Sequence, residues 1–145
     1  MKILLQRVSN ASVTVKEEVV GKIEQGFVAL VGVTHEDTLA TAEKLADKVV
    51  GLRVFGDEEG KMNLSIKEVE GRVLSVSQFT LYGNTDKGRR PHFSAAAKPE
   101  QAKEVYDNFN AALTRLGVHI ETGRFGEHMD IQLTNDGPVT FLLEK

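Results

Sequence analysis

Apolar and polar positions along this chain mark out a series of short strands and two helices. Residues 2–9 are rich in Ile, Leu and Val, and Val13-Thr14-Val15 alternates before a charged turn at Lys16-Glu17-Glu18. This opening reads as a strand pair. Residues 19–23 and 27–33 read as further strands, and the second is an almost unbroken apolar run, the pattern of burial on both faces. Residues 72–79 form another candidate strand after a Glu70-Gly71 turn, and 118–122 follows later. Residues 129–133 alternate Met, Ile and Leu with polar neighbours. Asn135-Asp136-Gly137-Pro138 then predicts a turn before a last strand at 139–143.

Two stretches carry the helical period instead. Leu39, Ala42, Leu45, Val49 and Leu52 fall on one stripe, with Asp37 or Thr38 placed to cap its start. Ala102, Val105, Tyr106, Phe109, Leu113 and Leu116 repeat at three- and four-residue steps. Pro99 suits the first turn of that helix, Glu100 suits the positive end of its dipole, and Gly117 suits its stop. Strands outnumber helices and short turns join several of them. The expected fold is therefore α/β of an α+β-like kind, with a mostly antiparallel or mixed sheet, or a barrel-like one, carrying two main helices. No repeat or linker divides the chain, so residues 1–145 are expected to form a single domain.

Composition narrows the chemistry. With 145 residues, 41% of them hydrophobic and 27% charged, the chain is long enough to bury a core and too apolar to be disordered. It has no cysteine, so neither disulfides nor thiolate metal sites are available. Arg7 follows only a short apolar run, which predicts neither a signal peptide nor a membrane span and favours the cytoplasm. A net charge of −3 argues against broad nucleic-acid binding and against DNA as a partner. It leaves room for one short piece of RNA at the local cluster of Lys87, Arg89 and Arg90.

The histidines at 35, 92, 119 and 128 lack ligand-type spacing, and no phosphate-binding glycine loop is present. No metal and no cofactor are expected. Ser75, Ser77 and Thr80 are candidate nucleophiles, but no GxSxG elbow surrounds them and a base must come within reach. Strand alternation would put Ser77 and Phe79 on one face and Gln78 and Thr80 on the other. An ordinary strand end with satisfied hydroxyls explains the same residues. Gly137-Pro138 is likewise either a plain turn with a trans bond, the usual state of X-Pro, or a cis dipeptide with a purpose.

Ser77-Gln78-Phe79-Thr80-Leu81, the later Asn135-Asp136-Gly137-Pro138-Val139-Thr140, the early Gln6-Arg7-Val8 and the basic loop running to Phe93 together resemble the D-aminoacyl-tRNA deacylases. The resemblance spans essentially the whole chain in order and length. It implies a cytoplasmic homodimeric hydrolase of chiral proofreading in translation. Such an enzyme cleaves the ester between a D-amino acid and the 3′-terminal adenosine of tRNA, with glycine mischarged on tRNA as a second substrate. It implies further that Gly137-Pro138 is cis and reaches into the partner's pocket, where its carbonyls exclude L side chains, and that Arg7 orients it. Ser77, Gln78, Phe79 and Thr80 would position the ester and stabilise the oxyanion, with help from the tRNA 2′-hydroxyl. Thr80 as a covalent nucleophile is the alternative. A small-molecule esterase and a dimeric RNA-binding module that uses residues 87–92 are the rival readings.

Overall fold

Strand β1 (Lys2–Val15) is the spine on which the other strands assemble. Its first half pairs antiparallel with β3 (Gly26–Gly32) and its second half with β2 (Glu18–Ile23), while β8 (Asp130–Glu144) runs antiparallel along its opposite edge. The β1–β2 hairpin turns through Lys16 and Glu17, both at positive φ. β6 (Arg72–Ser77) then pairs parallel with β3, and the short β7 (Ile120–Thr122) pairs parallel with β6. A separate small hairpin joins β4 (Phe55–Gly56) to β5 (Met62–Leu64). The computed structural model describes residues 1–145.

Each parallel pair needs a crossover, and the helices supply them. α1 (Leu39–Gly51) lies between β3 and β6, and α2 (Pro99–Arg115) between β6 and β7. The two helices sit side by side, tied by Asn108 Nδ2 donating to Leu39 O at 3.0 Å and by Arg115 near Glu43 at 3.7 Å. Thr38 caps α1 with a reciprocal Thr38–Thr41 box. Asp37, the other candidate cap, instead accepts from the Met1 amine at 2.8 Å and from Thr34 N–H at 2.8 Å. In α2, Pro99 opens the first turn, Glu100 follows, and Gly117 stands just past the end at φ 92.

The apolar stripes do what their periods predict. Ala42, Leu45 and Val49 of α1 and Val105, Tyr106, Phe109 and Leu113 of α2 are buried; only Leu39 of the first stripe is exposed. They pack on Ile3 and Leu5 of β1 and Phe27, Ala29 and Val31 of β3. Val28, Leu74 and Val76 face a second core with Val8, Ala11 and Val13. β1 therefore serves one core with its first half and the other with its second. That is possible because the sheet curls back on itself towards a barrel. No helix is long and apolar enough to cross a membrane.

Three local expectations need correction. The opening is one continuous strand, not a broken pair. Residues 129–133 and 139–143 also belong to one strand, and Asn135-Asp136-Gly137-Pro138 does not reverse the chain: β1 holds both flanks in register, so the turn residues bulge sideways. Strand β6 stops at Ser77, and Phe79–Tyr82 forms a 3₁₀ turn. The predicted face-by-face alternation of residues 77–80 therefore ends after Ser77. Phe109→Ala, which empties space at the centre of the larger core, should cost about 3–5 kcal/mol, read as a lower urea midpoint with the slope unchanged.

Candidate active site

The site forms where β6 outlasts its neighbour. Ser75 is the last residue of β6 paired with β7, opposite Thr122. There the Tyr106 hydroxyl donates to the Ser75 carbonyl at 2.8 Å, closing the ladder with a side chain. Burial raises the Tyr106 pKa above the ordinary tyrosine value, so the group stays a neutral donor. Beyond this point β6 keeps its partner on one side only, with Gln78 N–H donating to Val31 O at 2.7 Å. Donors alternate along a parallel ladder, so the Ser77 N–H turns to the open edge. The 3₁₀ turn closes through Leu81 N–H to Gln78 O at 3.3 Å and Gly83 N–H to Thr80 O at 2.9 Å. The first N–H groups of such a turn have no partner within it, and those of Phe79 and Thr80 find none elsewhere in the chain.

A cleft of about 670 Å³ opens against this edge. Ser77, Gln78 and Phe79 form one wall, the start of α2 with Ala102 and Tyr106 a second, and Phe125, Met129 and Ile131 the far wall. Most of its lining is apolar. Phe79 is 57% exposed and meets Phe93 edge-on, ring centres 5.0 Å apart at 70°. Phe125 rests against Tyr106 at 6.0 Å. Such a surface receives a flat or apolar group and leaves polar discrimination to a few backbone atoms.

No activated nucleophile stands at this edge. The Thr80 hydroxyl accepts from the Gln78 side-chain amide, and neither Ser77 nor Thr80 is bonded to a histidine or carboxylate. His128 lines the cleft but pairs with Asp130, and the other histidines are engaged with Ser94 O (His35), Ser94 Oγ (His92) and Glu121 (His119). A hydroxyl without a base is a weak nucleophile.

Gly137 and Pro138 lie apart from this cleft, exposed at the crest of the β8 bulge. Their peptide bond is cis, contrary to the ordinary expectation and in line with the resemblance. Gln6 pairs with Thr140 and Val8 with Asn135, so residues 136–139 stand opposite the single residue Arg7. Arg7 fills the gap. Its Nε meets Asp136 Oδ2 at 3.1 Å and Asp136 O at 3.3 Å, while an Nη donates to Val54 O at 2.6 Å. Asn135 clamps the base of the bulge by donating to Arg7 O at 3.0 Å and Val139 O at 3.1 Å. Gly137 has φ 120, and a Cβ there would come within 2.8 Å of Val139 Cγ2 and 3.1 Å of Arg7 Nη2, so only glycine fits.

Lys87, Arg89 and Arg90 are exposed and form no ion pair. Their loop is pinched by reciprocal bonds between Asn84 and His92, at 2.8 and 3.1 Å, and leads straight to Phe93. The cations therefore flank the cleft without lining it. Tyr106, Phe125, Met129 and Asn135 matter to this architecture, yet the sequence marks Tyr106 only as a core position, Met129 only as a strand position, Asn135 as a turn residue within the resembling motif and Phe125 not at all.

This fold recurs in solved proteins. One described as c-Myc DNA Unwinding Element Binding Protein superposes with a TM-score of 0.94 at 40% identity, covering 100% of this chain and 99% of that one. A probable eukaryotic D-amino acid tRNA deacylase shares the fold at a TM-score of 0.85 and 17% identity, covering 98% and 97%. Residues 4–144 match the family described as D-Tyr-tRNA(Tyr) deacylase, and the chain belongs to that family. A D-aminoacyl-tRNA deacylase of Exiguobacterium sibiricum is 61% identical over 145 residues, the whole of both chains. One of Thermus aquaticus is 60% identical over 144 residues, 99% of this chain and 95% of that protein.

The Tyr106–Ser75 bond yields a direct test. Tyr106→Phe strands a buried carbonyl at the head of the cleft and should lower unfolding stability by about 1–3 kcal/mol, measured by denaturant titration.

Proposed function

We propose that this protein is a D-aminoacyl-tRNA deacylase that hydrolyses the ester between a D-amino acid and the 3′-terminal adenosine of tRNA, in the cytoplasm. The observation that carries this reading is the row of unpaired backbone N–H groups of Ser77, Phe79 and Thr80 beside a mostly apolar cleft, with no base at either hydroxyl. An aminoacyl ester is already labile. Orientation and donors aimed at the developing oxyanion supply acceleration without a covalent step. The vicinal 2′-hydroxyl of the tRNA ribose assists the attack of water. Ser77, Gln78, Phe79 and Thr80 act as positioning residues through their backbone.

Chiral selection falls to Gly137 and Pro138. They are exposed and stand outside the cleft of their own chain, which supports a homodimer in which each dipeptide acts on the partner's cleft. Their carbonyls then crowd the face where an L side chain would project, while a D side chain points away and glycine has none to collide. Rejection of the wrong enantiomer, more than grip on the right one, sets the specificity. Arg7 keeps the dipeptide aimed through its bonds to Asp136 and Val54. Lys87, Arg89 and Arg90 attract the tRNA backbone beside the cleft.

The deciding assay offers D-Tyr-tRNA, L-Tyr-tRNA and Gly-tRNA to the purified protein. The D and glycyl esters should be cleaved and the L ester spared; equal cleavage of D and L esters would overturn the chiral reading. Thr80→Val should retain deacylation within a few fold, whereas a loss of about a thousandfold or more, roughly 4 kcal/mol, would restore threonine as the nucleophile. Arg7→Ala should narrow the D-over-L preference by about tenfold or more, roughly 1.4 kcal/mol. Its D-ester activity should fall far less.

A further inference from the structure

The far wall of the cleft is built largely from a loop, residues 123–129, which Arg124 ties to Glu18 at 3.6 Å and two apolar contacts hold from within. Phe125 leans on Tyr106, and Met129 packs against the bare Cα of Gly123. Gly123 is not there for its backbone, because its φ lies outside the positive range. Gly126, three residues on, is the opposite case: it has φ 79 and open space around it. What Gly123 supplies is room. A Cβ at this position would overlap the Met129 sulfur and also lie 3.3 Å from Val13 Cγ2. Val13 is fully buried in β1 and cannot give way. Met129 is partly exposed, has three rotatable bonds and lines the cleft, so it is the group that would move.

We propose that Gly123 is a specificity-determining residue that sets the width of the substrate cleft through Met129. Its missing side chain forms a notch that seats the thioether, and the seated thioether keeps the far wall back from the Ser77–Phe79 edge. A methyl at 123 turns Met129 out of the notch and into the space the substrate occupies. Gly123 acts here as a positioning residue without touching the reacting atoms. The proposal rests on the reading of this cleft as the substrate site.

The test measures KM and kcat on D-Tyr-tRNA, with thermal melts, for Gly123→Ala, Met129→Ala, the double variant, Met129→Phe and Ala102→Leu. Gly123→Ala should raise KM by about tenfold, with kcat within a few fold and little change in melting. Adding Met129→Ala to Gly123→Ala should return KM to that of Met129→Ala alone, since the new methyl then displaces nothing. Met129→Phe should raise KM by a similar factor and keeps the wall testable even if Gly123→Ala folds poorly. An unchanged KM in Gly123→Ala or Met129→Phe, or a double variant that stays impaired, overturns the proposal. Ala102→Leu fills the same cleft from α2. A raised KM there with none in the Gly123 and Met129 variants sinks only this inference, whereas an unchanged KM in all of them sinks the cleft as substrate site.

Discussion

The ladder between β1 and β8 is the interaction on which the remaining geometry depends. It ties residues near the two ends of the chain together over nearly the full length of both strands. Its larger mismatch, four residues opposite one, falls at Arg7, and a smaller slip follows between Val8 and Asn10. An antiparallel ladder tolerates such a mismatch only by expelling the surplus residues. The expelled residues carry Gly137 and Pro138. Arg7 and Asn135 then satisfy the polar groups that the bulge would leave without partners. The same region of β1 is where the strand changes allegiance from one core to the other. The bulge is thus supported by a strand that is itself anchored on both sides.

The cleft has a second, independent origin: β7 is three residues long and β6 is six. Had β7 continued, the Ser77 N–H would have been consumed by a ladder bond. The short β7 leaves it directed at open space, and Tyr106 seals the last carbonyl so that the exposed edge begins at a defined residue. On the proposed function, catalytic potential comes from backbone left unpaired in a rigid setting, which needs no reactive side chain.

Much of the scaffold was legible in the sequence because its signals are local. The α2 stripe, Pro99 and Gly117 each report a helix within a few residues of themselves. The both-faces burial of residues 27–33 follows from a run with no polar member. Other features depend on partners distant in sequence. Asn135-Asp136-Gly137-Pro138 has every mark of a turn, and only pairing with β1 makes it a bulge. Phe79 and Thr80 leave the strand pattern because the chain folds into a 3₁₀ turn after Gln78. The four-residue motif at 77–80 was found by resemblance, while in the wall opposite it Met129 shows only strand alternation and Phe125 carries no local signature. The seating of Met129 against Gly123 is a fact of volume, which periodicity does not encode.

β8 has a partner along one side only, and a strand of this length with a free edge is a ready template for another chain to add to. Flat, uninterrupted edges are the ones that recruit. Here the bulge at residues 136–139 breaks the edge into two short pieces that do not lie in one straight row, and Pro138 has no N–H to offer at its crest. Asp130 and Glu144 place a negative charge at either end. The irregularity to which the proposed function gives substrate discrimination therefore also guards the edge: straightening β8 would leave a strand prone to self-association.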